Sequence, residues 1–142
     1  STIVRLMNMG IEPFLVTSSV NAIVAQRLVR MICQKCKEPA PVPTKSLTDV
    51  GIPESVAVQI KPMRGKGCVA CSNTGYKGRI AVYEVMDFSQ GLKEMVLANA
   101  TAIEVKRAAI KEGMRTLRIA ALQKVADGMT TLEEALTMTG AD

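Results

Sequence analysis

Four cysteines stand in two pairs, Cys33-Gln34-Lys35-Cys36 and Cys68-Val69-Ala70-Cys71. A two-residue gap lets both thiolates of one turn point at the same ion, and two such turns supply four soft ligands in a closed tetrahedron. Cys33, Cys36, Cys68 and Cys71 are therefore candidate ligands of a structural Zn2+, with no open coordination position for catalysis. The loop between the pairs, residues 37–67, is longer than the commonest zinc-ribbon spacing, but closure entropy rises only slowly with length. Lys35, Lys37 and Lys66 lie nearby in sequence and offset part of the negative charge of a zinc tetrathiolate. The same residues can also form two disulfides in any of three pairings, or a redox C-x-x-C or iron–sulfur site. Paired spacing in a chain read as cytosolic favours the metal over these alternatives.

Other chemistry is sparse. The chain has no His, which removes Ser-His-Asp and Cys-His arrangements and every His-containing metal set. It has no G-x-x-x-x-G-K-[ST] phosphate loop, the nearest approach being the unrelated Arg64-Gly65-Lys66-Gly67. No catalytic residue is expected. Arg27 and Arg30 can bind a phosphate or an acidic partner, although such arginines commonly just solvate a surface. Lys61, Arg64, Lys66, Lys77 and Arg79 bracket the second cysteine pair and could form a phosphate-facing patch. Tyr76 and Tyr83 are too few for a base-stacking platform, so nucleic acid is not expected as a partner. The nine Met residues read as core filler.

The elements that must position these residues follow from punctuation and periodicity. Arg5 to Phe14 is a short apolar segment halted by Gly10 and Pro13. Thr17 or Ser18 can cap a helix running to about Ile32, with Val20, Ile23, Val24, Leu28, Met31 and Ile32 on one face and Arg27 and Arg30 on its flank. Residues 37–66 are broken by Pro39, Pro41, Pro43, Gly51, Pro53 and Pro62. Only Thr48 to Val50 and Glu54 to Ile60 are expected as short helical turns, so this segment needs a staple. Arg79 to Val85 is the best strand candidate. Ser89 caps a helix to about Asn99, and Thr101 with Glu104 makes a capping box for a helix ended by Gly113. Two more helices follow, from about Thr116 to Asp127 and from a capping box at Thr130 and Glu133 to Gly140. The expected class is α+β and mostly helical.

The chain's 142 residues allow one average domain or two small subdomains, and 48% hydrophobic with 22% charged residues matches a globular protein. Aromatics are only 3% with no Trp, so aliphatic residues and Met must fill the core. A formal charge of +5 permits an acidic protein, an anionic membrane or nucleic acid as partner without choosing among them. No apolar run approaches the roughly 18 residues of a membrane span. Ser1, Thr2, Ile3, Val4 and Arg5 lack the plan of a signal peptide, which points to the cytoplasm. Opening without Met, partway into an apolar segment, the chain reads as a piece of a longer protein.

Several motifs in order resemble a known family. They are Arg5-Leu6-Met7-Asn8-Met9-Gly10-Ile11-Glu12-Pro13-Phe14 and Ala25-Gln26-Arg27-Leu28-Val29-Arg30 leading into Cys33 and Cys36. There follow Gly67-Cys68-Val69-Ala70-Cys71-Ser72-Asn73-Thr74-Gly75-Tyr76-Lys77-Gly78-Arg79 with Tyr83-Glu84, then Gly113-Met114-Arg115-Thr116-Leu117, and Asp127-Gly128-Met129-Thr130-Thr131-Leu132-Glu133-Glu134. Across essentially its whole length the chain resembles the C-terminal part of the hexameric traffic ATPases of bacterial type II secretion and type IV pilus assembly.

The resemblance implies three regions: residues 1–31 closing a RecA-like ATPase core, residues 32–86 as a four-cysteine zinc subdomain, and residues 87–142 as a terminal helical subdomain. In this family the phosphate loop, the catalytic glutamate and the histidine box lie upstream. The resemblance thus implies that this stretch neither binds ATP and Mg2+ tightly nor hydrolyses ATP, although its parent does. It also implies neighbouring subunits of a hexamer and an inner-membrane platform protein as partners, at the cytoplasmic face of that membrane. Arg27 and Arg30 are candidates for an inter-subunit or nucleotide-adjacent role, and the isolated chain is expected to be monomeric. The rival reading is a free-standing zinc module that binds nucleic acid or protein.

Overall fold

The computed structural model describes residues 5, 6 and 8–140. The opening residues 1–4, read above against a signal peptide, lie outside this set. The described chain is α+β, with short helices and two two-stranded sheets. It divides into two compact units, Ser1–Gln26 with Tyr83–Thr116, and Arg27–Val82 with Leu117–Asp142.

The largest departure from the sequence reading is at Thr17 to Ile32. Helix α1 spans Pro13–Ser19 and strand β1 spans Ala22–Ile32. Ser18 does not cap a following helix; its hydroxyl donates back to the Leu15 carbonyl at 3.3 Å and closes α1. The spacing of Val20, Ile23, Val24, Leu28 and Ile32 fits a helical face, but β-branched Ile23, Val24, Val29 and Ile32 are at home in a strand once a partner exists. The partner is the long strand Tyr76–Asp87. Asn21 accepts from the Phe88 amide at one end and Cys33 donates to the Gly75 carbonyl at the other, both at 2.9 Å. The order of these bonds makes the pair antiparallel.

In the first unit, Ser89 accepts from the Leu92 amide and starts helix α4 (Gln90–Leu97). Thr101 and Glu104 form the expected capping box at helix α5 (Ala102–Lys111). Phe88, Leu92, Val96, Val105 and Ala109 form its core, with Leu6, Ile11, Val20, Ile23 and Met86 packed around them.

The second unit contains a short antiparallel pair, β2 (Lys37–Pro39) with β3 (Met63–Gly65), in which Glu38 opposes Arg64. Between them, helices α2 (Thr44–Asp49) and α3 (Glu54–Ala57) bury Leu47 and Ala57. The first is longer at its start than the expected turn and the second is shorter at its end. Strand β4 is Tyr76–Asp87, longer than the expected Arg79 to Val85. Helices α6 (Leu117–Ala126) and α7 (Leu132–Thr139) complete the unit. The helices after Asp87, expected together, are thus shared between the units. The cap of α7 is Thr131, which accepts from the Glu134 amide, and not Thr130 with Glu133. Thr130 is fully buried, and its hydroxyl donates to the Arg30 carbonyl at 2.7 Å. No helix of the described residues is long and apolar enough to cross a membrane.

Candidate metal centre

Strand β1 delivers Cys33 directly, and the turn after it carries Cys36. Cys68 precedes a 3-10 turn, Val69–Cys71, that carries Cys71. Past that turn Ser72 and Asn73 both take positive φ, at 54° and 61°, and fold the chain back toward β4. The knuckles are cross-tied: Lys66 donates to the Cys36 carbonyl at 3.0 Å, and Cys33 to Gly75 as above. Gly65 and Gly75 lie back to back, and a Cβ on Gly65 would fall inside the Gly75 carbonyl. Side chains at these positions would prise the knuckles apart.

All four sulfurs lie within 4.8 Å of one another, and all four cysteines are free. The Cys33–Cys68 and Cys36–Cys71 Sγ separations are 3.8 Å and the Cys68–Cys71 separation is 3.7 Å. Zn–S bonds of about 2.3 Å give a regular tetrahedron an edge of about 3.8 Å. The spacing far exceeds the roughly 2.05 Å of a disulfide. These sulfurs can hold a single metal ion.

Hydrogen bonding fits thiolates. The Gly67 amide donates to Cys36 Sγ at 3.3 Å, and the amides of Cys68 and Gly75 donate to Cys71 Sγ, each at 3.2 Å. Burial opposes ionisation of Cys71, but these two amides and its neighbouring sulfurs outweigh it and bring the thiol to about 6. Cys33 is also lowered: the amides of Lys35 and Cys36 overcome its burial. Cys36 moves up to about 11, because desolvation and the three neighbouring sulfurs outweigh the Gly67 amide. Four negative sulfurs this close cannot coexist without a cation, which a divalent metal supplies. The second unit as a whole is cationic, with twelve Lys and Arg against seven Asp and Glu.

A hydrogen-bonded latch sits beside the centre. Arg30 donates to Glu134 three times: its backbone N–H to Oε2 at 2.7 Å, and Nε and Nη2 to Oε1 at 3.2 and 3.1 Å. Its guanidinium lies 4.1 Å from the Tyr76 ring centroid, and the Tyr76 hydroxyl bonds Thr131 Oγ1 at 2.7 Å. The Ile32 amide donates to the Met129 carbonyl at 2.9 Å. Burial raises the Glu134 carboxyl, but the Arg30 bonds and charge outweigh it and hold it below its ordinary value.

The structure thus brings all four candidate cysteines together. Both candidate arginines lie on β1, not on a helix flank: Arg30 is tied into its own chain, and Arg27 is exposed. Sequence reasoning misses Tyr76 and Glu134 as site residues. Glu134 lies 104 positions from Arg30, so no local pattern pairs them.

A family model described as type II/IV secretion system protein matches residues 1–137. The chain belongs to that family. It is 49% identical over 142 residues to the type IV pilus assembly ATPase PilB of Myxococcus xanthus, covering 99% of this chain and 25% of the relative. It is 40% identical over 138 residues to the protein of that name in Pseudomonas aeruginosa, covering 97% and 24%. It is 34% identical over 140 residues to the type II secretion system protein E of Aeromonas hydrophila, covering 99% and 27%. The chain spans about a quarter of the length of these family members.

Proposed function

We propose that this chain is the zinc-binding and helical C-terminal region of a hexameric ATPase that powers type II secretion or type IV pilus assembly, and that it transmits force without itself catalysing. The observation that carries the reading is the four-sulfur cluster with tetrahedral spacing, in a chain whose relatives are named as ATPases of these systems. Four thiolates with no oxygen or nitrogen donor select zinc over harder ions. Zinc there fixes a proline-broken loop whose conformational freedom would otherwise absorb motion.

On this reading, residues 1–31 close the RecA-like core, and the metal unit passes movement to neighbouring subunits and to an inner-membrane platform protein at the cytoplasmic face. ATP and Mg2+ belong to upstream parts of the parent; the absence of His and of a phosphate loop from the sequence supports this. In a parent carrying Cys33→Ser with Cys68→Ser, ATP hydrolysis should persist while secretion or pilus assembly falls. Unchanged transport would overturn the force-transmitting role, and tight ATP binding by the isolated chain would overturn the non-catalytic one. Arg27→Ala in the parent tests the inter-subunit role of that residue: unchanged hexamer formation and ATPase rate would remove it.

A further inference from the structure

We propose that the open groove formed by Arg30, Thr74, Tyr76, Gly78 and Arg79 is a carboxylate-binding subsite for an acidic polypeptide segment. It deepens the reading of this chain as a partner-contacting region, and it holds whichever metal the cysteines take.

Arg30 enters the groove already oriented. Glu134 holds Nε and Nη2 along one edge, and Tyr76 covers one face of the plane. Nη1 makes no hydrogen bond to any described residue, and 54% of the side chain remains exposed. A guanidinium fixed in this way loses little further rotamer entropy when it takes a second oxyanion. Arg79, on the same groove, is exposed and makes no ion pair with any described residue. Glu134 neutralises Arg30 and the charge of Glu133 also acts on it, so the net attraction comes from Arg79, from Lys77 two residues earlier, and from the excess in the second unit of twelve Lys and Arg over seven Asp and Glu.

The lining selects among anionic partners. Thr74 contributes no free hydroxyl proton, because Oγ1 already faces the carbonyls of Cys71 and Tyr76 at 2.7 and 3.0 Å. Donation therefore rests on the two guanidinium groups, whose planar forks match a carboxylate. Nucleic acid is disfavoured because the lining offers a single aromatic ring, Tyr76, one face of which Arg30 already occupies, too little for a stacking platform. A membrane surface is disfavoured because no large exposed aliphatic side chain lines the groove to wedge into lipid. The half-buried Tyr76 offers an apolar wall for the methylene stem of an incoming Glu.

The test uses the reduced chain as purified, with whichever metal it holds, and a fluorescein-labelled hexaglutamate peptide, read by fluorescence anisotropy, with the Arg30 and Arg79 Nε–H resonances followed by NMR. Peptide binding should weaken with salt and shift both resonances. Arg79→Glu should weaken it about fivefold, because reversing one charge replaces an exposed attraction with a repulsion of similar size. Arg107→Glu, at a residue that does not line the groove, should change it less than about twofold. Equal losses from both reversals, or an unmoved Arg30 resonance at saturation, would overturn the subsite. Binding of inorganic pyrophosphate or phosphatidylglycerol vesicles through Arg79 without peptide binding would reassign the groove and refute the acidic-polypeptide proposal. Failure of the zinc or force-transmitting reading would leave these outcomes unaltered, since neither readout uses ATP or transport.

Discussion

Replacing Glu134 with Ala removes a carboxylate that is only 4% exposed and that accepts three hydrogen bonds from Arg30. The two guanidinium bonds contribute little, because more than half of the Arg30 side chain meets water and can rehydrate. The backbone N–H bond, at 2.7 Å and part-buried, contributes most: stranding its donor costs about 1–2 kcal/mol. Adding the packing lost with a nearly buried side chain, Glu134→Ala should destabilise the second unit by about 2–3 kcal/mol. Glu134→Gln keeps an acceptor for that amide and should cost about 1 kcal/mol. Both are measured by urea unfolding of the zinc-loaded chain, followed by circular dichroism. The difference between wild type and Glu134→Gln also depends on pH with a defined sign. The native carboxyl titrates below its ordinary value of 4.5, so its contribution is fully present above about 4.5 and fades as pH falls through the lower native value. Taking the difference between the two proteins cancels the shared loss of metal in acid. Equal destabilisation by Ala and Gln would refute the weight given to the backbone bond, and a wild-type to Gln difference independent of pH between 3 and 7 would refute the role given to the charge.

Native mass spectrometry should find one zinc per chain, lost on denaturation with four alkylatable thiols, and chelation should lower unfolding free energy by several kcal/mol; two disulfides and no metal would contradict the site. After chelation, amide exchange should rise at Cys33, Gly75 and Met129 to Thr131, while the Leu92 and Val105 amides of the first unit keep their protection. Gly65→Ala and Gly75→Ala should each weaken metal retention in a competition assay, since either Cβ meets the opposite backbone well inside contact distance. Thr131→Ala should cost about 1 kcal/mol as the loss of a helix cap, whereas Thr130→Val should cost a similar amount by stranding the Arg30 carbonyl; a loss at Thr130 with none at Thr131 would contradict this assignment of the cap.

Local signals carried most of what the sequence revealed. Ser89, the Thr101 and Glu104 pair, and Gly113 and Gly128 mark helix ends through backbone chemistry confined to one turn, and the four cysteines announce themselves by spacing. What failed was non-local. Ala22 to Ile32 has an apolar spacing compatible with either period, and the choice is made by a strand more than forty residues later. Thr130 and Thr131 differ by one position, and only burial against Arg30 decides which of them caps α7. The same distance hides Glu134: read in sequence it is one of two acids in a first helical turn, and its carboxylate acquires a role only when β1 arrives beneath it.

That order of arrival matters when the chain is synthesised. Each unit is built from two separated stretches, so neither can close when its first stretch leaves the ribosome. Strand β1, Ala-Ile-Val-Ala-Gln-Arg-Leu-Val-Arg-Met-Ile, must wait for β4, and Arg30 must wait for Glu134. During that interval an apolar β-forming segment is unpaired and open to association with other nascent chains. The first cysteine pair follows it immediately, and the second precedes β4. Metal capture would draw the end of β1 and the start of β4 together before the C-terminal helices exist, giving a bound metal a part in folding order as well as in the finished fold.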